Sequence, residues 1–448
     1  MSDLHVKYLL LGGGVASFAA AKAIRQRDQQ GSLMLIGQEI SRPYDRTQIS
    51  KGFLRRQVPR SALFTSEPDW FANQRVQLRT GTQAAHLDAT RRIVILGTGQ
   101  ALTYDKLLIA IGAQPRKLPL PGAEMPGVLM LRTIEDVERL HTVIDGARAH
   151  GRPHDTGRGK AVVIGGGLMG VEAAASFRQL GLAVDLVVGS AYPWASFAGE
   201  STGKLVSMFL KSKGINVFDG LRATKVEGDN RAQRIALSNG KSLDCDFVLA
   251  AVGTTPNKDL LRGTPIVAEK AILTDEHCRT SEPDIFAAGD CAAVRDPLFG
   301  KHRWAEQWDT AAITGTIAGS NMAAEAAPAL PAESFNSVTT FGTEAFGVRL
   351  RAWGSSKHLD HRILRGTPTL ESPEFIEIAV ASDGRITQIL ATGIFSPPPL
   401  AAEGQGGGLG QLESSSTVLE ELVRRRVNVS GKEEALKDPA VPLEGLLK

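Results

Sequence analysis

Short apolar runs that end on glycine organise the first two-thirds of the chain. Tyr8–Leu11 runs into Gly12, Leu33–Ile36 into Gly37, Ala161–Ile164 into Gly165 and Ala183–Val188 into Gly189. Runs this short, with little alternation, predict strands buried on both faces of a parallel sheet. After Gly12–Gly14 and after Gly165–Gly167 the pattern turns into small-residue helices, the second read as Ala173 to Leu180. The order strand, glycine turn, helix, strand therefore occurs twice, and the fold class it predicts is α/β with two Rossmann-like dinucleotide-binding domains. A longer internal similarity supports this. Leu102–Pro115 resembles Leu243–Pro256, with Asp105/Asp246, Gly112/Gly253 and Pro115/Pro256 all 141 residues apart. Alternating segments with hairpin signals (Asn239-Gly240, Gly228-Asp229-Asn230) precede the second copy. From Phe335 to Phe395 alternation returns, with a turn at Asp383-Gly384, which predicts a C-terminal α+β domain.

The glycine turns carry the first chemistry. Gly12-Gly13-Gly14-Val15-Ala16-Ser17 follows the G-x-G-x-x-small pattern, and Gly165-Gly166-Gly167-Leu168-Met169-Gly170 is the full G-x-G-x-x-G. The first Gly permits the tight turn, the second lets backbone approach a pyrophosphate, and the third position lets helix and strand pack closely. The helix N-terminus then offers free N–H groups to the phosphates. An acid should follow the second strand to bond a ribose hydroxyl. Glu39 fills that place in the first copy, whereas the second copy ends in Gly189-Ser190 with no acid and no nearby Arg in sequence. NADH against NADPH stays open. A third signal, Thr280 to Asp290, ends a strand in Gly289-Asp290 and is followed by a small-residue helix expected over Thr310 to Asn321.

Composition narrows the reading. Of 448 residues 47 are Gly, without the three-residue period of collagen. Lys and Arg number 51 against 48 Asp and Glu, and a net charge of +3 argues against nucleic acid. No apolar stretch approaches the ~18 residues of a membrane span. Three separated cysteines form no C-x-x-C pair or disulfide framework, which points to a reducing, cytoplasmic setting. The nine histidines show no ligand spacing, and no metal is expected.

Two fingerprints with the Thr280–Asp290 pattern resemble the two-dinucleotide-binding flavoproteins, the pyridine nucleotide-disulfide oxidoreductase superfamily. Arg42-Pro-Tyr-Asp-Arg-Thr-Gln-Ile-Ser-Lys51 resembles a segment of the subgroup of ferredoxin reductases, apoptosis-inducing factor and monodehydroascorbate reductase, with Leu9–Ala21 most like apoptosis-inducing factor and the C-terminal Ala435–Leu447 more like the ferredoxin reductases. The resemblance implies an FAD domain (1–132 and 256–330) split by an NAD(P)H domain (133–255), then a reductase or interface domain (331–448). It places Gly12, Gly14 and Ala16 at the FAD pyrophosphate and Glu39 at the adenosine ribose. Arg46 and Lys51 contact phosphate and flavin, Ala84 the adenine, Arg132 the flavin and Asp290 the ribityl chain. Glu306, Gln307 and Trp308 line flavin and nicotinamide, with Gly253 near the cofactor. Gly165, Gly167, Leu168, Met169 and Gly170 take the NAD(P)H pyrophosphate. Lys51 and Glu172 are the catalytic pair: the Lys ammonium sits near flavin N5, and Glu172 holds it.

The chain departs from the subgroup where P-P-L becomes Thr47-Gln48-Ile49, and where an aromatic F-W-S-D segment is read onto Ser337–Thr340. The paired cysteines of disulfide reductases are missing, so electrons must pass from flavin to an outside acceptor. The resemblance implies a ferredoxin reductase serving a [2Fe–2S] ferredoxin. The alternatives are a monodehydroascorbate-reductase-like or NADH oxidase enzyme with a small acceptor, and an apoptosis-inducing-factor-like redox sensor or scaffold. In the tail, Ala323–Glu333 reads as a linker and Gly404–Gly410 as a flexible run. A helix is expected from Thr417, capped by Thr417 and Glu420, with Val418, Leu419, Leu422 and Val423 on one face. That face docks on its own domain or, in the sharper reading, forms a homodimer contact.

Overall fold

The computed structural model describes residues 4–150, 159–357, 359–370, 374–393 and 410–447. The loop around His154, His358, the Pro397–Pro399 run and residues 404–409 lie outside them. The chain divides into two compact units, one of residues 1–48, 58–114 and 254–337, the other of 49–57, 115–253 and 338–448.

The first unit is built on a sheet whose parallel strands run in the order Val76–Arg79, Leu33–Ile36, Leu4–Leu11, Ala101–Ile109 and Ile285–Ala287. A hairpin, Ala84–Asp88 with Ile93–Leu96, continues antiparallel from Ala101–Thr103. Leu9, Leu10, Leu33, Leu35, Leu107 and Leu108 are wholly buried, as the unbroken apolar runs require. Helix Val15–Arg27 covers one face and packs against helix Trp308–Met322. The two helices meet through small residues. A Cβ added at Gly315 or Gly319 would lie 2.1 and 2.3 Å from the carbonyl oxygens of Ala16 and Ala20. The segment read as a linker is pinned here. The Asn321 side-chain amide donates to the Glu333 carbonyl and accepts from the Glu333 N–H, and Ser320 Oγ donates to the Glu333 carboxylate.

The second unit repeats the plan. Its parallel strands run Ile215–Asp219, Ala183–Val188, Lys160–Ile164, Phe247–Ala250 and Val128–Leu129. A three-stranded meander, Ala223–Glu227, Arg234–Leu237 and Ser242–Asp244, accompanies it. An antiparallel sheet follows in the order Thr340–Ala345, Val348–Gly354, Ile386–Gly393, Phe375–Val380 and His361–Arg365.

Three sequence expectations change. The helix after Gly167 spans Leu168–Gln179, not 173–180, because Leu168 already has helical geometry directly after the glycine turn. The helix after Asp290 starts at Trp308, not at 310, with Gln307 preceding it and making no side-chain cap hydrogen bond. The tail helix runs from Gly410 to Arg424, so Thr417 lies inside it and not at its N-cap. Once nucleated, a helix adds residues at small cost, and a Thr–Glu pair at capping spacing is a weak stop. Its face of Leu419, Leu422 and Val423 is buried against strands Val348–Gly354 and Ile386–Gly393 of its own unit, which withdraws it as a dimer contact.

Candidate cofactor and redox site

The two glycine turns are built alike. Gly12 has φ +122° and Gly165 φ +125°, conformations that side chains disfavour. A Cβ at Gly12 would lie 2.0 Å from the Ala110 carbonyl oxygen, and one at Gly165 2.1 Å from that of Ala251. Ala110 and Ala251 occupy matching places in the 141-residue repeat, so each turn is pressed against the end of the duplicated strand. Gly170 is needed for closeness, since its Cβ would fall 1.9 Å from the Gly165 carbonyl oxygen. Ser17, its counterpart, is wholly buried.

Each helix then begins at a glycine without a side-chain cap. Gly14 and Gly167 are the N-caps, the first turns carry no acid, and a Cβ at either would meet nothing within 4 Å. The first helical hydrogen bonds run from Phe18 to Gly14 and from Val171 to Gly167. The N–H groups of Val15, Ala16 and Ser17, and of Leu168, Met169 and Gly170, precede them and face an anion-attracting helix end. Two open, uncapped, acid-free helix ends fit two pyrophosphates. Ala16 also carries the helix contact, with Gly289 and Gly315 packed against it.

Around the first turn, Glu39 is held rather than loose. Arg46 Nη2 donates to its Oε1 at 2.6 Å, and the Tyr44 hydroxyl donates to Oε2 at 2.7 Å. The structure thus brings Glu39 and Arg46 together, with Tyr44, a residue the sequence reading passed over, between them. Ala84 opens a hairpin strand and packs on the sheet core. Asp290 lies in a short turn, Gly289–Cys291, and its carbonyl accepts from the Trp304 indole at 2.8 Å. Glu306 is exposed, Trp308 opens its helix, and Gln307 Oε1 is buried with no partner among the described residues. A buried amide oxygen without a partner also fits a polar ligand group.

In the second unit Lys51 Nζ lies 3.0 Å from Glu172 Oε1, with side chains 18 % and 7 % exposed. Two segments distant in sequence, Ser50–Lys51 and the one carrying Thr343, converge on this carboxylate. Ser50 Oγ donates to Glu172 Oε2 at 2.5 Å, and Thr343 Oγ1 donates to Oε1 at 2.8 Å. Ser176, one turn beyond Glu172, donates to the Ser50 carbonyl at 2.6 Å and ties the Lys51 segment to the helix. Phe53 and Leu54 anchor the same segment, where the Leu54 carbonyl meets His141 Nε2 at 3.0 Å. Both carboxylate oxygens are therefore engaged, which a buried carboxylate needs.

Ser50, Ser176 and Thr343 were missed because polar residues at such separations carry no local pattern. The strand that meets the pair is Thr340–Ala345. The segment read onto Ser337–Thr340 therefore precedes the contact, and Val338 and Thr339 are simply buried. Arg132 lies just before helix Ile134–His150, where its backbone N–H donates to Asp136. Gly253, with φ +95°, has open space on its Cβ side, and its carbonyl accepts from the Arg116 N–H.

The cysteines stand apart from this chemistry. Cys245, Cys278 and Cys291 are buried, and burial pushes the Cys245 and Cys291 thiols up to about 12 and Cys278 upward too. Such thiols stay protonated and inert. Among the described residues no cluster of His, Cys, Asp and Glu could hold a metal, and no helix is long and apolar enough to cross a membrane.

Comparison with known proteins agrees with this construction. A family model described as pyridine nucleotide-disulphide oxidoreductase matches residues 6–315. The benzene 1,2-dioxygenase system ferredoxin–NAD(+) reductase subunit of Pseudomonas putida is 30% identical over 391 residues, covering 85% of this chain and 88% of its own. The biphenyl dioxygenase system ferredoxin–NAD(+) reductase component of Paraburkholderia xenovorans LB400 is 29% identical over 443 residues, 98% of each chain. In fold, the chain matches the reductase of the covalent putidaredoxin reductase–putidaredoxin complex with a TM-score of 0.84 over 99% of both chains, at 24% identity. The chain belongs to the pyridine nucleotide-disulphide oxidoreductase family, FAD-dependent enzymes that oxidise a nicotinamide dinucleotide.

Proposed function

We propose that this chain oxidises NAD(P)H and passes the electrons to a small iron–sulfur protein, most simply a [2Fe–2S] ferredoxin. The observation that carries this reading is the Lys51–Glu172 pair without any reactive cysteine. The relatives named above are reductases of ferredoxins, and the chain spans nearly their whole length. Bound FAD would supply the redox chemistry, taking up a hydride from NAD(P)H and giving its two electrons onward singly. In this reading the first unit holds FAD through the Gly12–Ser17 turn, Glu39, Arg46 and Asp290. The segment 133–255 holds NAD(P)H through the Gly165–Gly170 turn. Lys51 supplies a fixed positive charge where negative charge develops, and Glu172 keeps its ammonium in one place.

The test is anaerobic stopped-flow reduction of the yellow holoprotein, followed by cytochrome c reduction with and without added ferredoxin. Lys51→Ala should slow flavin reduction by about tenfold or more, since an electrostatic contact is typically worth that much, while flavin content stays unchanged. Cytochrome c reduction that ignores ferredoxin, with fast turnover of a small quinone or radical instead, would move the acceptor assignment to the small-molecule class. Reduction by neither nicotinamide would overturn the reading.

A further inference from the structure

The second dinucleotide turn lacks the acid that should follow its second strand, and the fold puts a base there instead. Strand Ala183–Val188 ends at Gly189 and Ser190, both exposed. The neighbouring strand Ile215–Asp219 ends beside them, and the Gly220 N–H donates to the Ser190 carbonyl at 2.8 Å. Two residues further on, Arg222 reaches back. A Cβ at Gly189 would sit 3.6 Å from Arg222 Cγ, its nearest neighbour. The Arg222 backbone is fixed on both sides by Ser238, whose hydroxyl accepts from the Arg222 N–H at 3.2 Å and whose N–H donates to the Arg222 carbonyl at 2.8 Å. The exposed Arg222 side chain has no carboxylate partner among the described residues.

We propose that Gly189, Ser190 and Arg222 form a subsite for the 2′-phosphate of NADPH, a proposal that rests on residues 133–255 binding a nicotinamide dinucleotide. An acid at position 189 would accept from the ribose hydroxyls and repel a phosphate, whereas glycine leaves that space open. The exposed Arg222 side chain, whose Cγ borders the gap, carries a guanidinium with a planar set of donors suited to phosphate oxygens. The nearest strand-end carboxylate, Asp219, is engaged elsewhere. Its Oδ2 accepts from Ser207 and Lys211 of helix Glu200–Ser212 at 2.6 and 3.0 Å, and its Oδ1 is buried away from solvent. The sequence hid this arrangement because Arg222 is contributed by a different strand end from Gly189.

Calorimetric titration of the FAD-loaded full chain with adenosine 2′,5′-bisphosphate and with 5′-AMP reads the subsite without turnover. The bisphosphate should bind tighter by about tenfold or more, as a charge-assisted contact to phosphate predicts, and the advantage should shrink with added salt. Arg222→Gln should reduce the ratio of the two constants to about two or less, and Arg222→Lys should keep part of it. Gly189→Glu, at a position without backbone strain, should invert the preference. Equal binding of the two probes to the unmodified chain, or a ratio untouched by Arg222→Gln, would overturn the subsite while leaving the oxidoreductase reading intact. Failure of both probes, of NADH and of NADPH to bind would instead overturn the oxidoreductase reading and the subsite with it.

Discussion

Glu172 shows how single residues were and were not legible. Its place two residues after a fingerprint glycine drew attention to it, and Lys51 followed from the motif around Pro43 and Tyr44. The hydroxyls that hold the carboxylate, Ser50 and Thr343, come from segments about 120 and 170 residues away and have no signature at that distance. Thr343→Val keeps shape and removes one donor to a buried carboxylate. It should cost about 1–3 kcal/mol of local stabilisation and slow flavin reduction by single-turnover stopped-flow, with Ser50→Ala behaving alike and the double variant worse than either. A second residue-scale case is Asp28. Burial pushes its carboxyl up, but hydrogen bonds from Lys7 Nζ, the Gly31 and Gln30 N–H groups and the Tyr8 hydroxyl outweigh this and hold it well below the usual range. Its contribution is therefore complete above the unfolded carboxyl value near 4 and fades as pH falls below it. Asp28→Asn should melt lower at neutral pH, and the gap to the unmodified protein should narrow between about pH 4 and pH 2. A constant gap across thermal melts in that range would contradict the assignment.

Elements were more legible than their edges. Strand Leu33–Ile36 matches its apolar run because a strand buried on both faces is mostly apolar, and Ala183–Val188 differs only by Asp185, buried and paired with Lys160. Helix starts were misplaced where the turn itself, not a polar cap, begins the helix, as at Leu168 and Trp308. The small-residue pattern of Val15–Arg27 announced a helix but not its partner. That partner, Trp308–Met322, comes so close that Gly315 and Gly319 have no room for a side chain. Gly315→Val therefore forces the helices apart, beyond the 1–3 kcal/mol typical of overpacking. It should lower the melting temperature by several degrees and, because Ala16 lies at the same contact, reduce bound flavin. Gly445, which has nothing within 4 Å, is the control: Gly445→Val should change neither melting nor flavin content.

At the scale of the molecule, the duplicated plan was readable because both copies spend glycine for the same reason. The first four parallel strands follow the same order in both sheets, the fifth coming from Ile285–Ala287 in one and Val128–Leu129 in the other, and each first glycine meets the carbonyl of a residue 141 positions from its counterpart. The absence of paired cysteines was equally readable, and the structure gives it physical content. All three thiols are buried, none lies in either glycine turn, and burial raises each one's pKa. A reagent needs a thiolate it can reach, so 5,5′-dithiobis(2-nitrobenzoate) should react negligibly with the native protein and with all three cysteines in guanidinium chloride. Flavin reduction by NAD(P)H should survive long incubation with the reagent. Cys291 makes the sharpest case: it follows Asp290 directly, yet its Sγ is wholly buried and meets the carbonyls of Ile109 and Ala288. Cys291→Ala should then leave the rate of flavin reduction within about twofold and cost only the one to three kcal/mol of a small buried contact. Loss of acceptor turnover in that variant, with the flavin still reduced at its normal rate, would instead place a thiol on the electron path.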